Sequence, residues 1–496
     1  MKNKVQLITY VDRLSGAGLP ALGRLLKGPL AGVFGGVHLL PFYHPIDGVD
    51  AGFDPIDHAQ VDPRLGDWED VRALGAEFDV MADLIVNHVS CESAAFKDFQ
   101  ARGDDSPYAG MFLTLDKVFP AGASEAELAK IYRPRPGLPF SAMTLKHGEK
   151  RLLWTTFTSQ QIDIDVCDPK GAAYLDGILL RFQAAGVCVL RLDAAGYAIK
   201  KSGTSCFMIP ETHAYIALLR RRSRELGMEV LVEIHSYYLE QIEIAKKVDW
   251  VYDFALPPLV LHALYTAEAG PLKAWLEISP RNAITVLDTH DGIGVIDVGA
   301  DAASSRPGLL SAAAIDALVE TIHERSKGQS RQATGAAASN LDLYQVNCTY
   351  YDALGRDDRD YLLARVIQFF APGIPQVYYM GLLAEPNDMA RLEETGVGRD
   401  INRHAFTAQE LKDALVRPVV RALLGLIGFR NAHPAFAGTF ALLPCGKTEL
   451  ALGWKKKDEF AVLQVGLVSR RTQIEFSSPS GPRTLALDEI TGPFTL

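Results

Sequence analysis

At 496 residues the chain exceeds the roughly 100 to 200 of one ordinary domain, although a single large barrel with insertions absorbs such a length. Hydrophobic residues make up 48% and charged residues 22%, and 42 Gly and 27 Pro follow no fixed period, which excludes wholesale disorder, collagen and coiled coil. With 50 basic against 60 acidic residues the formal charge is −10, the wrong sign for a nucleic-acid backbone or an anionic membrane surface. Any anion used here must therefore be captured by local arginines or backbone N–H groups. Six cysteines show no CxxC pair and no metal-finger spacing, and the first apolar run is short and broken by Gln6, unlike a signal peptide. A soluble, cytoplasmic protein with reduced thiols is expected.

Taken in order, eight short apolar runs read as strands buried on both faces: Val5 to Val11, Val37 to Pro41, Val80 to Val86, Val187 to Leu192, Glu229 to Ile234, Trp250 to Leu256, Ala283 to Leu287 and Gln376 to Tyr379. Helical patterns fall between them at Asp67 to Phe78, Ala172 to Ala185 and Glu211 to Leu226, the last two followed by the stop residues Gly186 and Gly227. Such alternation predicts a (β/α)8 TIM barrel over an open doubly wound sheet, whose Gly-rich first turn is missing. Two gaps, Val86 to Val187 and Leu287 to Gln376, are far longer than the rest and must carry insertions. The expected organisation is a barrel in three parts (1–89, 168–291, 357–432), an inserted domain at 90–167 and a loop-rich insertion at 292–356. From His433 to the end the pattern turns to true alternation, which predicts a small antiparallel β domain at 433–496. Gly335 to Asn340 is rich in small residues and suits a mobile loop reaching to about residue 345.

In a parallel barrel the chemistry lies at the C-terminal ends of the strands. Strand three ends in Asn87-His88, strand four in Arg191-Leu-Asp193, strand five in Glu233-Ile-His235, and strand seven in Asp288-Thr-His290-Asp291. A single acid at a strand end commonly caps the next helix or forms an ion pair; three acids converging on one rim are a different matter. Paired carboxyls flanking a bond are what glycoside cleavage needs, one to attack the anomeric carbon and one, protonated, to supply a proton to the leaving oxygen. Asp193, with Arg191 two residues upstream on the same strand face, is expected to be held ionised as a nucleophile, and Glu233, after Leu231-Val232, to have a raised pKa suited to acid/base duty. No GxSxG and no GxxxxGK[ST] is present.

The ordered set Asp83-Leu-Ile-Val-Asn-His88, Arg191-Leu-Asp193, Glu233-Ile-His235 and His290-Asp291 resembles the four sequence regions of the α-amylase family of glycoside hydrolases. Longer segments, Asp50-Ala-Gly-Phe-Asp-Pro-Ile-Asp-His58, Tyr132-Arg-Pro-Arg-Pro-Gly137, Gly203-Thr-Ser-Cys-Phe-Met208 and Asn340-Leu-Asp-Leu-Tyr-Gln345, are similar to the branch that phosphorolyses sucrose. The resemblance implies a retaining double displacement with Asp193 as nucleophile, Glu233 as acid/base and Asp291 as transition-state stabiliser. It implies a glucosyl subsite of Asp50, Phe53, His88, Phe157, Gln161, Arg191, Tyr197, His290 and Arg399, with Gln161 toward the acceptor side. Arg135, His235, Asp342, Tyr344 and Gln345 are implied for the fructose and phosphate subsite. Phe53 and Phe157 also read as core aromatics, His88 and His290 as structural histidines, and Arg135 as a solvated charge. Many α-amylases hold a structural Ca²⁺ with an Asn before the strand-three His and a His after the nucleophile; here Asn87 is present and Tyr197 replaces that His, so no metal is expected.

The activity so implied is reversible phosphorolysis of sucrose by inorganic phosphate to α-D-glucose 1-phosphate and D-fructose, without cofactor, in a homodimer, with transglucosylation of other acceptors. The alternatives are a sucrose hydrolase or transglucosylase, a phosphorylase of a related α-glucoside such as sucrose 6'-phosphate, and a non-catalytic sugar-binding barrel. The last has no need of nucleophile, acid and stabiliser together.

Overall fold

A computed structural model describes the whole chain apart from residues 49, 134–136, 147, 302–304, 335–344 and 493–496. Among the described residues, eight parallel strands close into a barrel in chain order. They are β1 (Gln6–Thr9), β2 (Gly36–Leu39), β3 (Asp79–Ile85), β4 (Val189–Asp193), β5 (Glu229–Val232), β6 (Trp250–Asp253), β7 (Ala283–Thr285) and β8 (Ile374–Tyr378). Each expected apolar run supplies one of them. The chain is a TIM barrel.

The alternation of strand side chains sorts the barrel into two environments. Leu190 and Leu192 face the large core between barrel and helices, whereas Met81, Val189, Leu231, Tyr252 and Ile284 fill the lower interior. One layer higher the inward residues are ionic. Parallel pairing sets Arg191 of β4 beside Asp83 of β3, and Asp193 beside Ile85. A packed apolar floor thus lifts the charged layer toward the rim where the strands end.

The helices start and stop for local reasons. Asp67 caps Trp68–Gly75 in a capping box with Asp70, and Asp168 caps Pro169–Ala184, with proline at the first turn where its missing N–H costs nothing. That helix and Pro210–Glu225 end at Gly186 (φ +76°) and Gly227 (φ +80°), left-handed positions glycine adopts without penalty.

Between β3 and β4, a two-stranded sheet pairs His88–Ser90 with Gln161–Asp163, and a hairpin joins Phe140–Thr144 to Lys150–Trp154. After β7 the expected loop-rich insertion instead contains a helix, Ala312–Arg325, which an Ala-rich start and the Ser311 cap favour. Beyond β8, strands β9 (Thr439–Leu442), β10 (Glu449–Lys456), β11 (Glu459–Gly466), β12 (Thr472–Phe476) and β13 (Arg483–Ala486) form one antiparallel sheet. It packs on two helices: Phe476 lies edge-on to Phe429 of Pro418–Ala432 at 5.1 Å, and Trp454 Nε1 donates to the carbonyl of Phe370, the last residue of Asp358–Phe370, at 2.8 Å. No helix among the described residues is long and apolar enough to cross a membrane.

Candidate active site

A cleft of about 900 Å³, counting its open mouth, lies over the C-terminal ends of the strands. Asp50, Phe53, His88, Phe157, Arg191, Asp193, Tyr197, Glu233, His235, His290, Asp291, Gln345 and Arg399 all line it. Arg135, Asp342 and Tyr344 lie outside the described residues. Gln161 departs from expectation: it is buried behind His88, its Nε2 3.1 Å from the ring Nε2, because its strand runs antiparallel to the one that starts at His88.

At the centre is Arg191, buried and fixed by its strand neighbour. Its Nη1 donates to Asp83 Oδ1 at 2.6 Å and to Asp193 Oδ1 at 2.8 Å, while Nη2 lies 3.9 Å from Glu233 Oε2. Asp83 also pairs with His38 Nε2 at 2.9 Å. Burial would raise the Asp83 carboxyl, but His38 and Arg191 overcome it and hold it near 2. Asp193 goes the other way. Burial, reinforced by the Glu233 and Asp83 charges, pushes its carboxyl up to about 8 against the pull of Arg191. The expectation that Arg191 keeps Asp193 ionised is not met by this balance, because the Nη1 that contacts Asp193 is shared with Asp83.

After Asp193 the chain turns at Ala194 (φ +54°), a left-handed conformation that costs an alanine energy, into a short 3₁₀ turn carrying Tyr197. Tyr197 stands edge-on to Phe157, and Phe157 edge-on to His88. Across the cleft Phe53 stacks on His290 at 4.9 Å and lies under the Arg191 guanidinium. Burial drives His290 well below the ordinary histidine range, so it is a neutral ring. Asp291 is also buried, yet Arg399, Arg403 and Arg191 outweigh burial and keep it firmly ionised; Arg399 Nη1 sits 2.9 Å from its Oδ1.

On the side of Glu233 remote from Asp193's strand, His235 Nε2 lies 3.8 Å from Glu233 Oε1 and 3.3 Å from the Gln345 amide nitrogen. Its ring stacks on Phe254 at 3.9 Å. Residue-type reasoning missed Tyr132 and Phe207, which stack at 4.6 Å and line the cleft; both stand inside quoted segments, but no periodicity marks them. It also missed Asp83, Arg403 and Asp297.

Beside this site Asn87 Oδ1 accepts from the Lys200 ammonium at 2.6 Å, and the ammonium lies 2.6 Å from Asp163 Oδ2. Lys200 and Asp163 are both buried, so a fixed cation already ties Asn87 to the strand opposite His88. Among the described residues no group of three or more His, Cys, Asp or Glu is arranged to hold a metal ion. Lys200→Met should lower the unfolding free energy by about 2 kcal/mol, because Asp163 keeps its Thr156 hydrogen bonds but loses its counter-charge. The check is the urea midpoint, and an unmoved midpoint would show that the ammonium holds nothing.

An α-amylase catalytic-domain model matches residues 32–240. The chain is 65% identical over 477 residues to the sucrose phosphorylase of Agrobacterium vitis, covering 96% of this chain and 98% of that one. It is 53% identical over 464 residues to the sucrose phosphorylase of Bifidobacterium adolescentis, covering 93% and 92% respectively. The crystal structure of sucrose 6F-phosphate phosphorylase from Thermoanaerobacter thermosaccharolyticum superposes with a TM-score of 0.90 at 39% identity, covering 98% of each chain.

Proposed function

The chain belongs to the sucrose phosphorylase group of the α-amylase family, and from that premise we propose how its cleft carries out the reversible phosphorolysis of sucrose. Asp193 attacks the anomeric carbon of the glucosyl unit as the bond to the fructosyl oxygen breaks and the Glu233 proton passes to that oxygen. Fructose leaves a glucosyl ester on Asp193. A phosphate oxygen then attacks the same carbon, its proton returns to Glu233, and the ester bond breaks to release α-D-glucose 1-phosphate. Asp291, ionised by its arginines, faces the positive charge that develops at the sugar ring in both steps.

The observation that best supports these roles is the reach of Arg191. At 2.8 Å from Asp193 and 3.9 Å from Glu233 it gathers both carboxyls around one cation and lies closer to the one that attacks. Asp50, His88, Arg191, Tyr197, His290 and Arg399 bind the glucose ring between the walls of Phe53 and Phe157, with Gln161 holding the His88 ring. His235 and Gln345, with Arg135, Asp342 and Tyr344, form the acceptor side, where fructose leaves and phosphate enters. The enzyme acts without cofactor in the cytoplasm as a homodimer, and other acceptors that fit the acceptor side receive the glucosyl unit in transglucosylation.

Incubated with sucrose in phosphate buffer, the protein should release glucose 1-phosphate in large excess over free glucose. Mostly free glucose would make it a hydrolase, and no turnover would make it a sugar-binding barrel. A clear preference for sucrose 6'-phosphate would move it to that neighbouring specificity.

A further inference from the structure

Behind His235, away from the cleft, lies a carboxylate to which no role has been given. Asp297, on the short turn Ile296–Val298 after β7, is completely buried. Its Oδ2 lies 3.0 Å from His235 Nδ1, and its Oδ1 accepts from the Ser236 backbone N–H at 3.1 Å and from Gln241 Nε2 at 2.7 Å. Three donors from the loop after β5 and its following helix lock the carboxylate, while the stack on Phe254, just beyond β6, fixes the ring plane. The approach is close: a Cβ on Gly294 would come within 2.9 Å of Asp297 Oδ2 and 3.3 Å of the His235 ring.

We propose that Asp297 is a positioning residue that keeps His235 doubly protonated, with Nε2–H presented to the acceptor side, so that the glucosyl-enzyme is taken by anionic phosphate in preference to water. This rests on the function proposed above. The charged groups around the ring are Asp297 behind it, Glu233 beside it and Asp291 across the cleft; Phe254 is neutral, and so is the Gln345 amide, whose buried Oε1 lacks a partner and faces the imidazolium when the amide is turned over. Burial works against the imidazolium, but the three acids, Asp297 foremost, outweigh it. The His235–Asp297 pair is neutral in sum and a dipole in effect, its proton end toward the cleft and its carboxylate end sealed away. In a cleft lined by Asp50, Asp193, Glu233 and Asp291, on a chain of net charge −10, such a fixed donor offsets the repulsion an entering phosphate meets.

The test is Asp297→Asn, which preserves shape and removes the charge. At neutral pH KM for phosphate should rise about 10-fold or more, the loss of one charge-assisted hydrogen bond, while the rate of fructose release in the absence of phosphate changes several-fold less. The pH above which phosphate use declines should shift downward in the variant. Equal losses in fructose release and in phosphate use, or an unmoved KM for phosphate, would overturn the proposal. A second measurement needs no stable variant: an NMR titration of the parent enzyme, with the His235 signals assigned through His235→Gln. The His235 ring should titrate above 6.5, the ordinary histidine value, and titration below it would overturn the proposal even in an enzyme that makes glucose 1-phosphate. If the ring titrates high but the parent forms no glucose 1-phosphate, the phosphorylase reading fails instead, and the proposed preference for phosphate falls with it.

Discussion

Asp193→Asn should lose at least about 10⁴-fold in turnover of sucrose and become more heat-stable at the same time. The activity falls because an amide nitrogen and a neutral oxygen cannot form and release the glucosyl ester, however well Asn keeps the Arg191 contact made at 2.8 Å. The stability rises because the native fold holds this carboxyl in a place that penalises its charge. A carboxyl raised from 3.8 to about 8 binds more protons in the native than in the unfolded state, so its contribution falls as pH rises across that window. Removing the charge removes the fall, and the gap in melting temperature between variant and parent should widen from about pH 4 to pH 8. Two readouts separate the causes. Intact mass after acid quench should show a glucosyl adduct on the parent and none on the variant, and differential scanning at several pH values should show the widening gap. Retained turnover, or a melting difference indifferent to pH, would refute the nucleophile assignment or the burial account respectively.

The legibility of this molecule follows the strength of the physical signals. Strands buried on both faces must be apolar throughout, so all eight barrel strands could be read from runs such as Val80 to Val86, and the glycines after two barrel helices were visible because a left-handed stop favours that residue. The site was visible because polar residues terminating apolar strands are conspicuous: Asp193, Glu233 and Asp291 stand where the runs stop. What could not be read was how partners divide a charge. Arg191 was expected to serve Asp193 and reaches it at 2.8 Å, but the register also sets it directly beside Asp83, and only the closed barrel brings that second pairing about. Asp297 was missed for a related reason: it lies 62 residues from His235 in sequence and ends none of the eight barrel runs. The resemblance put Gln161 in the glucosyl subsite, toward the acceptor side; its contact with the His88 ring follows from the antiparallel pairing of two three-residue strands, which carries no periodic signal.

Asp83→Asn should lower the unfolding free energy by about 3–5 kcal/mol, since it breaks a buried ion pair and leaves Arg191 with one counter-charge fewer at the centre of the barrel. Both Asp83 and Arg191 are shut off from solvent, and His38 on β2 loses its partner in the same step. The pH dependence has the opposite sign to that of Asp193. Asp83 is held down near 2, so its stabilisation is present in full above about pH 4 and is lost as pH falls toward 2. Parent and variant should therefore converge in stability on acidification through that window, and urea unfolding at neutral and acid pH is the measurement. A second consequence reaches the chemistry. The Asp83 charge is one of those that push Asp193 up, and it occupies the Nη1 that also serves Asp193. Without it Arg191 turns wholly to Asp193 and Glu233, Asp193 releases its proton more readily, and the acid limb of the kcat/KM profile should move to lower pH in whatever fraction still folds. A variant whose stability stays within about 1 kcal/mol of the parent, with an unmoved acid limb, would mean that Arg191 is governed by the two carboxyls of the cleft and not by its strand neighbour.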